Sequence, residues 1–294
     1  MPVPPGPAPP RPPGAAARRR RVSSPHDPRR VRCGAVTDDL ELATAAALAG
    51  AEVVRAGYGK DLARTDKGGG DFATAADVAA ERAVLDVIRA ARPDDAVLGE
   101  EGGRQGAPDT GRLWLVDPLC GTLDYAVGHR LVAVNVALRD GPAAVADPFT
   151  GEVFRTDGET AWRRHEGTDT PLRPSAATAL VDVNLDPPFP SAPAFRAADL
   201  LAHPVFVARF RPRVVSTTLA LTWVAVGRRA AYVTDGTGLC DSVHFAAGTA
   251  LCRAAGCVVT GLDGTPPGPD TRGLVAAADA KTHSLLMKLI RDEP

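Results

Sequence analysis

Apolar residues recur along this chain with two periods. At helical spacing, Leu40, Ala43, Ala47, Leu48, Ala51 and Val54 follow an acidic start at Thr37-Asp38-Asp39, which predicts a capped helix from about residue 37. A second helix runs through Ala80, Val84, Leu85, Val87 and Ile88 and stops at Pro93. Short apolar runs over 96–98, 113–116, 131–138 and 143–146 read as strands, and 131–138 is apolar enough for a strand covered on both faces. A hairpin with its turn at Thr150-Gly151 joins 143–146 to the residues after it, and 159–163 continues that antiparallel pattern. Between the first two helices, 57–70 is a charged, glycine-rich connection.

Further on, strands are predicted over 180–184, 230–233, 257–260 and 274–277. Helices are predicted over 194–201, through Leu219, Leu221, Trp223, Val224 and Val226, from Asp241-Ser242 through Phe245, Ala247, Leu251 and Ala254, and over 282–291. Helices and strands alternate loosely around a β-rich middle. That pattern predicts a layered, mixed α/β (α+β) architecture, with an N-terminal half over 36–173 and a C-terminal half over 174–294 that completes the site.

Two predicted strands run directly into acids: Leu98 precedes Gly99-Glu100-Glu101, and Val116 precedes Asp117-Pro118-Leu119-Cys120-Gly121-Thr122. If these strands are neighbours, Glu100 and Asp117 lie side by side at one sheet edge. Adjacent carboxylates repel unless a cation or proton sits between them. The Gly121-Thr122 turn offers backbone N–H groups to an anion beside that cation. Asp77, at the start of a helix, is placed to join them. The plain alternative for each acid, taken alone, is a turn or helix cap.

Composition changes this picture only at the N-terminus. Residues 1–13 are almost all proline, glycine and alanine, and Arg18 to Arg21 form a basic block, so 1–35 is expected to be a disordered, solvated tail. No apolar run follows Arg21, which argues against a twin-arginine export signal. The 294 residues are 45% hydrophobic and 23% charged with a net charge of −1, so no global field favours nucleic acid or an anionic membrane. Five cysteines lack CxxC spacing, and no apolar run reaches the ~20 residues of a membrane span. A cytoplasmic setting is expected, with no membrane or nucleic-acid partner.

Four segments together carry a resemblance. Asp71-Phe72-Ala73-Thr74-Ala75-Ala76-Asp77, Gly99-Glu100-Glu101, Asp117-Pro118-Leu119-Cys120-Gly121-Thr122-Leu123-Asp124-Tyr125 and Ala246-Ala247-Gly248 stand in the order and spacing of the motifs of the inositol monophosphatase family. The chain resembles that family from about residue 36 to 289. The resemblance implies a layered α-β-α-β-α sandwich of the sugar-phosphatase type and Mg²⁺-dependent hydrolysis of a small phosphate monoester, such as an inositol or sugar phosphate or a nucleotide 3′-phosphate. It implies that Glu100, Asp117 and the Leu119 carbonyl hold a first metal. Asp77, Thr122 and Glu100 would orient and activate water, and Gly121 and Thr122 would receive phosphate. Ser216 and Thr217 would lie near the substrate, and a homodimer is the family analogy.

The sequence departs from the family at the second metal. Cys120 and His244 stand where aspartates are expected, with Asp241 as a rival for the latter place, one turn earlier on the same predicted helix. Because Cys and neutral His serve Mg²⁺ poorly, Zn²⁺ or Mn²⁺ enters as an alternative ion held by Asp117, Cys120 and His244. Cys120 is otherwise a small inert residue or, paired with His244, a nucleophile. Two functions remain open: a phosphomonoesterase with an altered second metal site, and a pseudophosphatase that binds a phosphorylated ligand.

Overall fold

In the computed structural model, residues 38–60, 63–68, 71–106, 111–185, 195–236, 239, 241–268 and 270–291 are described; the proline- and arginine-rich tail lies outside them. Helix α1 (Asp39–Gly57) begins where its acidic start predicts, with Asp38 accepting the Leu40 N–H at 2.9 Å. The stretch read as a connection contains strand β1 (Arg64–Gly68), which pairs antiparallel with β2 (Asp71–Thr74). All of β1 is exposed, so no apolar alternation marks it as a strand. Helix α2 (Ala75–Ala91) follows at once. Then come β3 (Ala96–Gly99), β4 (Gly103–Gln105), β5 (Leu113–Cys120) and the single turn of α3 (Thr122–Ala126). An antiparallel meander of β6 (Ala133–Leu138), β7 (Ala143–Ala146), β8 (Val153–Thr156), β9 (Ala161–His165) and β10 (Thr168–Pro171) completes an eight-stranded sheet of order β10-β9-β8-β7-β6-β5-β3-β4.

The second sheet starts with β11 (Leu180–Asn184). Two short helices, α4 (Ala197–Ala202) and α5 (Pro204–Arg209), lead to β12 (Arg211–Val214), which pairs parallel with β11. Neither α5 nor β12 was expected, because Pro212 and two arginines hide the strand pattern. Helix α6 (Leu219–Ala225), β13 (Ala231–Thr234), α7 (Ala246–Ala255), β14 (Val258–Thr260), β15 (Leu274–Ala277) and α8 (Ala280–Arg291) follow, in a five-stranded sheet of order β12-β11-β13-β15-β14. The helix expected from Asp241 starts only at Ala246. Asp241 has φ +58°, a left-handed conformation that no helix continues through.

Three apolar clusters make five layers. Helices α1 and α2 cover one face of the large sheet, burying Leu42, Val84, Trp114, Val116 and Val134. Its other face packs Leu115, Phe154 and Ala133 against Leu221 of α6 and Leu251 of α7, with Tyr232 of the small sheet behind them. Outside the small sheet, Leu200, Phe206 and Leu286 from α4, α5 and α8 close the third cluster. This is the α-β-α-β-α sandwich. Along β5, Leu113 and Leu115 face one cluster while Trp114 and Val116 face the other, which is why the strand reads as an unbroken apolar run.

Gly50 sets how closely α1 approaches its neighbours. A β-carbon there would stand 2.8 Å from Val84 Cγ2 and 2.9 Å from Val134 Cγ1. Gly50→Val is expected to cost about 1–3 kcal/mol through overpacking. The check is the midpoint of urea unfolding, which should fall; an unchanged midpoint would mean that this contact is not tight.

Candidate active site

The parallel register of β3 and β5 sets Gly99 opposite Val116, and the Glu100 N–H donates to the Val116 carbonyl at 3.1 Å. Glu100 and Asp117 therefore emerge at neighbouring strand ends. Asp117 has no solvent exposure. Its Oδ1 accepts the Leu119 N–H at 3.1 Å, and its Oδ2 faces Asn135 Nδ2 at 3.3 Å and His244 Nδ1 at 2.8 Å. Strand β5 does not end at Val116 as expected. It passes Asp117, bulges and pairs again at Cys120, so the missing Pro118 N–H falls inside an irregularity. Burial and the Asp117 charge push Glu100 up to about 8, against the pull of His244 and Lys67.

Asp77 closes the other side. It is the N3 residue of a capping box at the start of α2: its Oδ2 accepts the Thr74 N–H at 2.8 Å and the Thr74 hydroxyl at 2.5 Å. Its Oδ1 lies 2.9 Å from Thr122 Oγ1, which is also 3.0 Å from the Leu119 carbonyl. Burial pushes the Asp77 carboxyl up, and the bonds from Thr74 and Thr122 partly offset that. Gly121 turns the chain with φ +107°, and a β-carbon there would meet the Leu131 carbonyl at 2.7 Å, so only glycine fits. Ser216 lies beside that turn, its carbonyl 3.4 Å from the same point and its hydroxyl donating to Asn184 at 3.1 Å. Thr217 is buried, and its hydroxyl accepts the Leu219 N–H at the start of α6.

Four participants were not foreseen. Lys67 of β1 reaches Glu100 at 3.0 Å and Glu101 at 2.7 Å. Glu81 of α2 accepts the N–H groups of Glu101 and Gly102, both at 2.8 Å, and so clamps the turn that carries Glu100. Asn135 was the one polar residue in the apolar run 131–138, which is the signal that marks it. Thr218 ties the site together: its Oγ1 lies 2.7 Å from Asn135 Nδ2, 3.1 Å from Cys120 Sγ and 2.9 Å from the His244 carbonyl.

His244, not Asp241, stands against Asp117. Asp241 pairs instead with Arg139 at 2.7 Å on the surface. Asp235 is buried and accepts the Ala197 N–H at the start of α4 at 3.0 Å. Burial resists a charge on His244, but the Asp117 bond and charge, with help from Cys120 and Glu100, outweigh it and push the ring up to about 12. Burial and Asp117 raise the Cys120 thiol, which stays protonated and gives no support to a nucleophilic role. One donor atom from each of Asp117, Cys120 and His244 lies within 4.8 Å of the others. The oxygen set of Glu100, Asp117 and the Leu119 carbonyl suits Mg²⁺; the sulfur and nitrogen of the other half do not.

The model of the inositol monophosphatase family matches residues 36–294. The chain belongs to the inositol monophosphatase family. It is 32% identical over 270 residues to an inositol-1-monophosphatase of Synechocystis sp., across 87% of this chain and 89% of that one. It is 31% identical to the Nus factor SuhB of Escherichia coli, across 78% and 86%. Among solved structures, the inositol monophosphatase of Anabaena (Nostoc) sp. PCC 7120 superposes with TM-score 0.66 at 27% identity, covering 87% and 96%. The SuhB protein of Bartonella henselae shares the fold with TM-score 0.74 at 23% identity, covering 87% and 99%. Members of this family are phosphoric monoester hydrolases that use Mg²⁺, and this chain falls in that class.

The pairing of His244 with Asp117 sets a pH signature. A histidine raised from 6.5 to about 12 stabilises the metal-free fold fully below pH ~6.5, and that support is lost progressively as pH rises from there through 12. Glu100, raised from 4.5 to about 8, has the same sign over its own window: between those values only the unfolded chain ionises, so stability falls as pH rises. Ring NMR of the metal-free protein should show His244 cationic well above neutrality, and Asp117→Asn should return its midpoint towards the ordinary histidine range. A wild-type midpoint near 6.5 would refute the pairing.

Proposed function

We propose that the protein hydrolyses the phosphate monoester of a small polyol or nucleotide, such as an inositol phosphate, a sugar phosphate or a nucleotide 3′-phosphate, with an altered second metal site. The observation that carries this reading is the convergence of Glu100, Asp117 and the Asp77–Thr122 pair around the Gly121-Thr122 turn. Glu100, Asp117 and the Leu119 carbonyl would hold Mg²⁺ or Mn²⁺, which when bound supplies Lewis-acid polarisation and an acidified water. Asp77, fixed by Thr74, accepts from Thr122, and this leaves a Thr122 lone pair to orient an attacking water. Glu100, at the neighbouring strand end, would assist in activating that water. The Gly121 and Thr122 N–H groups would receive phosphate oxygens. Ser216 and Thr217 would stand on the substrate side, with Ser216 beside the turn.

One observation favours a second reading, a pseudophosphatase that binds a phosphorylated ligand. The two carboxylates at the strand ends are already partnered by side-chain cations, Lys67 on Glu100 and His244 on Asp117. Several relatives carry the name Nus factor, so a regulatory role with a protein partner is a companion to this reading. No helix among the described residues is long and apolar enough to cross a membrane. A cytoplasmic location and a homodimer remain part of the proposal by analogy with the family.

Phosphate release from a panel of sugar phosphates and nucleotide 3′-phosphates, with Mg²⁺, Mn²⁺ and Zn²⁺ supplied separately, distinguishes the readings. Metal-dependent turnover is expected, and Glu100→Gln should lower kcat by roughly 10²–10⁴-fold without lowering the thermal midpoint. Ligand binding with no turnover in any metal would favour the binder.

A further inference from the structure

We propose that Asp117, Cys120 and His244 form a site for a thiophilic divalent ion of the Zn²⁺ class, sharing the Asp117 carboxylate with the oxygen-lined half of the active site. Among the described residues this is the only convergence of three His, Cys, Asp or Glu donors found. The three come from different places in the chain. Asp117 and Cys120 flank the bulge in β5, and His244 stands in the segment leading into α7.

The donor set is one sulfur, one ring nitrogen and one carboxylate oxygen. That mixture suits four-coordinate Zn²⁺ with a fourth position left open, and it suits Mg²⁺ badly. Tetrahedral Zn²⁺ with these ligands sets donor separations of about 3.5 Å. A cluster already within 4.8 Å needs a contraction of about 1 Å, and His244, with 39% of its side chain exposed, has the freedom to supply it. A supporting shell is in place as well. Asp117 is held by the Leu119 N–H and Asn135, and Cys120 Sγ receives the Thr218 N–H at 3.3 Å and its hydroxyl at 3.1 Å. Bonds of this kind orient ligands and tune their basicity.

Charge balance supports the same ion. Zn²⁺ with one carboxylate, one thiolate and a neutral imidazole sums to zero, so the occupied site leaves no net charge stranded beside the fully buried Asp117.

This inference concerns the same site as the phosphomonoesterase reading but does not depend on it. The test titrates the metal-free full-length protein with Co²⁺, followed by displacement with Zn²⁺. One equivalent of Co²⁺ should give a thiolate-to-metal charge-transfer band and intense tetrahedral d–d absorption, both erased by Zn²⁺ and neither produced by Mg²⁺. Cys120→Ser should abolish the charge-transfer band and weaken Co²⁺ binding by roughly 100-fold; His244→Asn should weaken binding comparably while the protein still unfolds cooperatively. Cys252→Ser, a buried thiol elsewhere, should leave the band intact. Absence of the band in the wild type, or its survival in Cys120→Ser, overturns the site. Mg²⁺-dependent turnover without a Co²⁺ band would sink this site and spare the phosphatase reading. A band without turnover in any metal would do the reverse.

Discussion

Parallel pairing of β3 with β5, Gly99 opposite Val116, forces the carboxylates of Glu100 and Asp117 out of adjacent strand ends with little water to screen them. Two like charges at such a place repel each other, and the Asp117 charge adds to burial in raising Glu100. The rest of the active region is arranged around relieving that conflict. Lys67 arrives on the β1–β2 hairpin, and His244 arrives ahead of α7, from the layer between the sheets. Asn135 comes from the next strand of the same sheet. The five layers matter to function because they carry cations and dipoles to one buried carboxylate pair from separate parts of the chain.

Much of this frame was legible from residue pattern. Both acids at strand ends, the cap at Asp38, the helix start at Asp77 and the glycine turn at Gly121 each have local causes that one sequence displays. A layered mixed architecture followed from the loose alternation of helices and strands, and the five-layer order from the resemblance to the family. The β1–β2 hairpin was not legible, because an exposed two-stranded ribbon has no buried face to impose alternation. Nor was β12, whose Arg211-Pro212-Arg213 run hides an edge strand.

The site divides the same way. Residues that act through their place on a strand or turn were found, and residues that act by reaching were not. Lys67 spans 33 positions to Glu100, Glu81 spans 20 to the Glu101 N–H, and Thr218 spans 98 to Cys120. Nothing local distinguishes such side chains from surface lysines, helix acids or helix-start threonines. Asp241 failed for a related reason. A helical pattern placed it one turn from His244, but with Asp241 in a left-handed conformation the helix starts only at Ala246, and the carboxylate pairs with Arg139.

Asp117 also couples the two halves of the site. Its Oδ1 is tied to the Leu119 N–H, and the Leu119 carbonyl meets the Thr122 hydroxyl that bonds Asp77. Its Oδ2 is tied to Asn135 and His244, and both lead to Thr218 and Cys120. Drawing charge from one oxygen lowers what the other can offer, so whatever occupies the Cys120–His244 side changes the affinity on the Glu100 side. By thermodynamic reciprocity the influence runs equally in the other direction. On the proposed reading, a histidine and a cysteine on that side do more than set one ion's position. They make the oxygen-lined half answer to what sits beside it, through a single carboxylate that cannot turn without breaking the bonds that hold it.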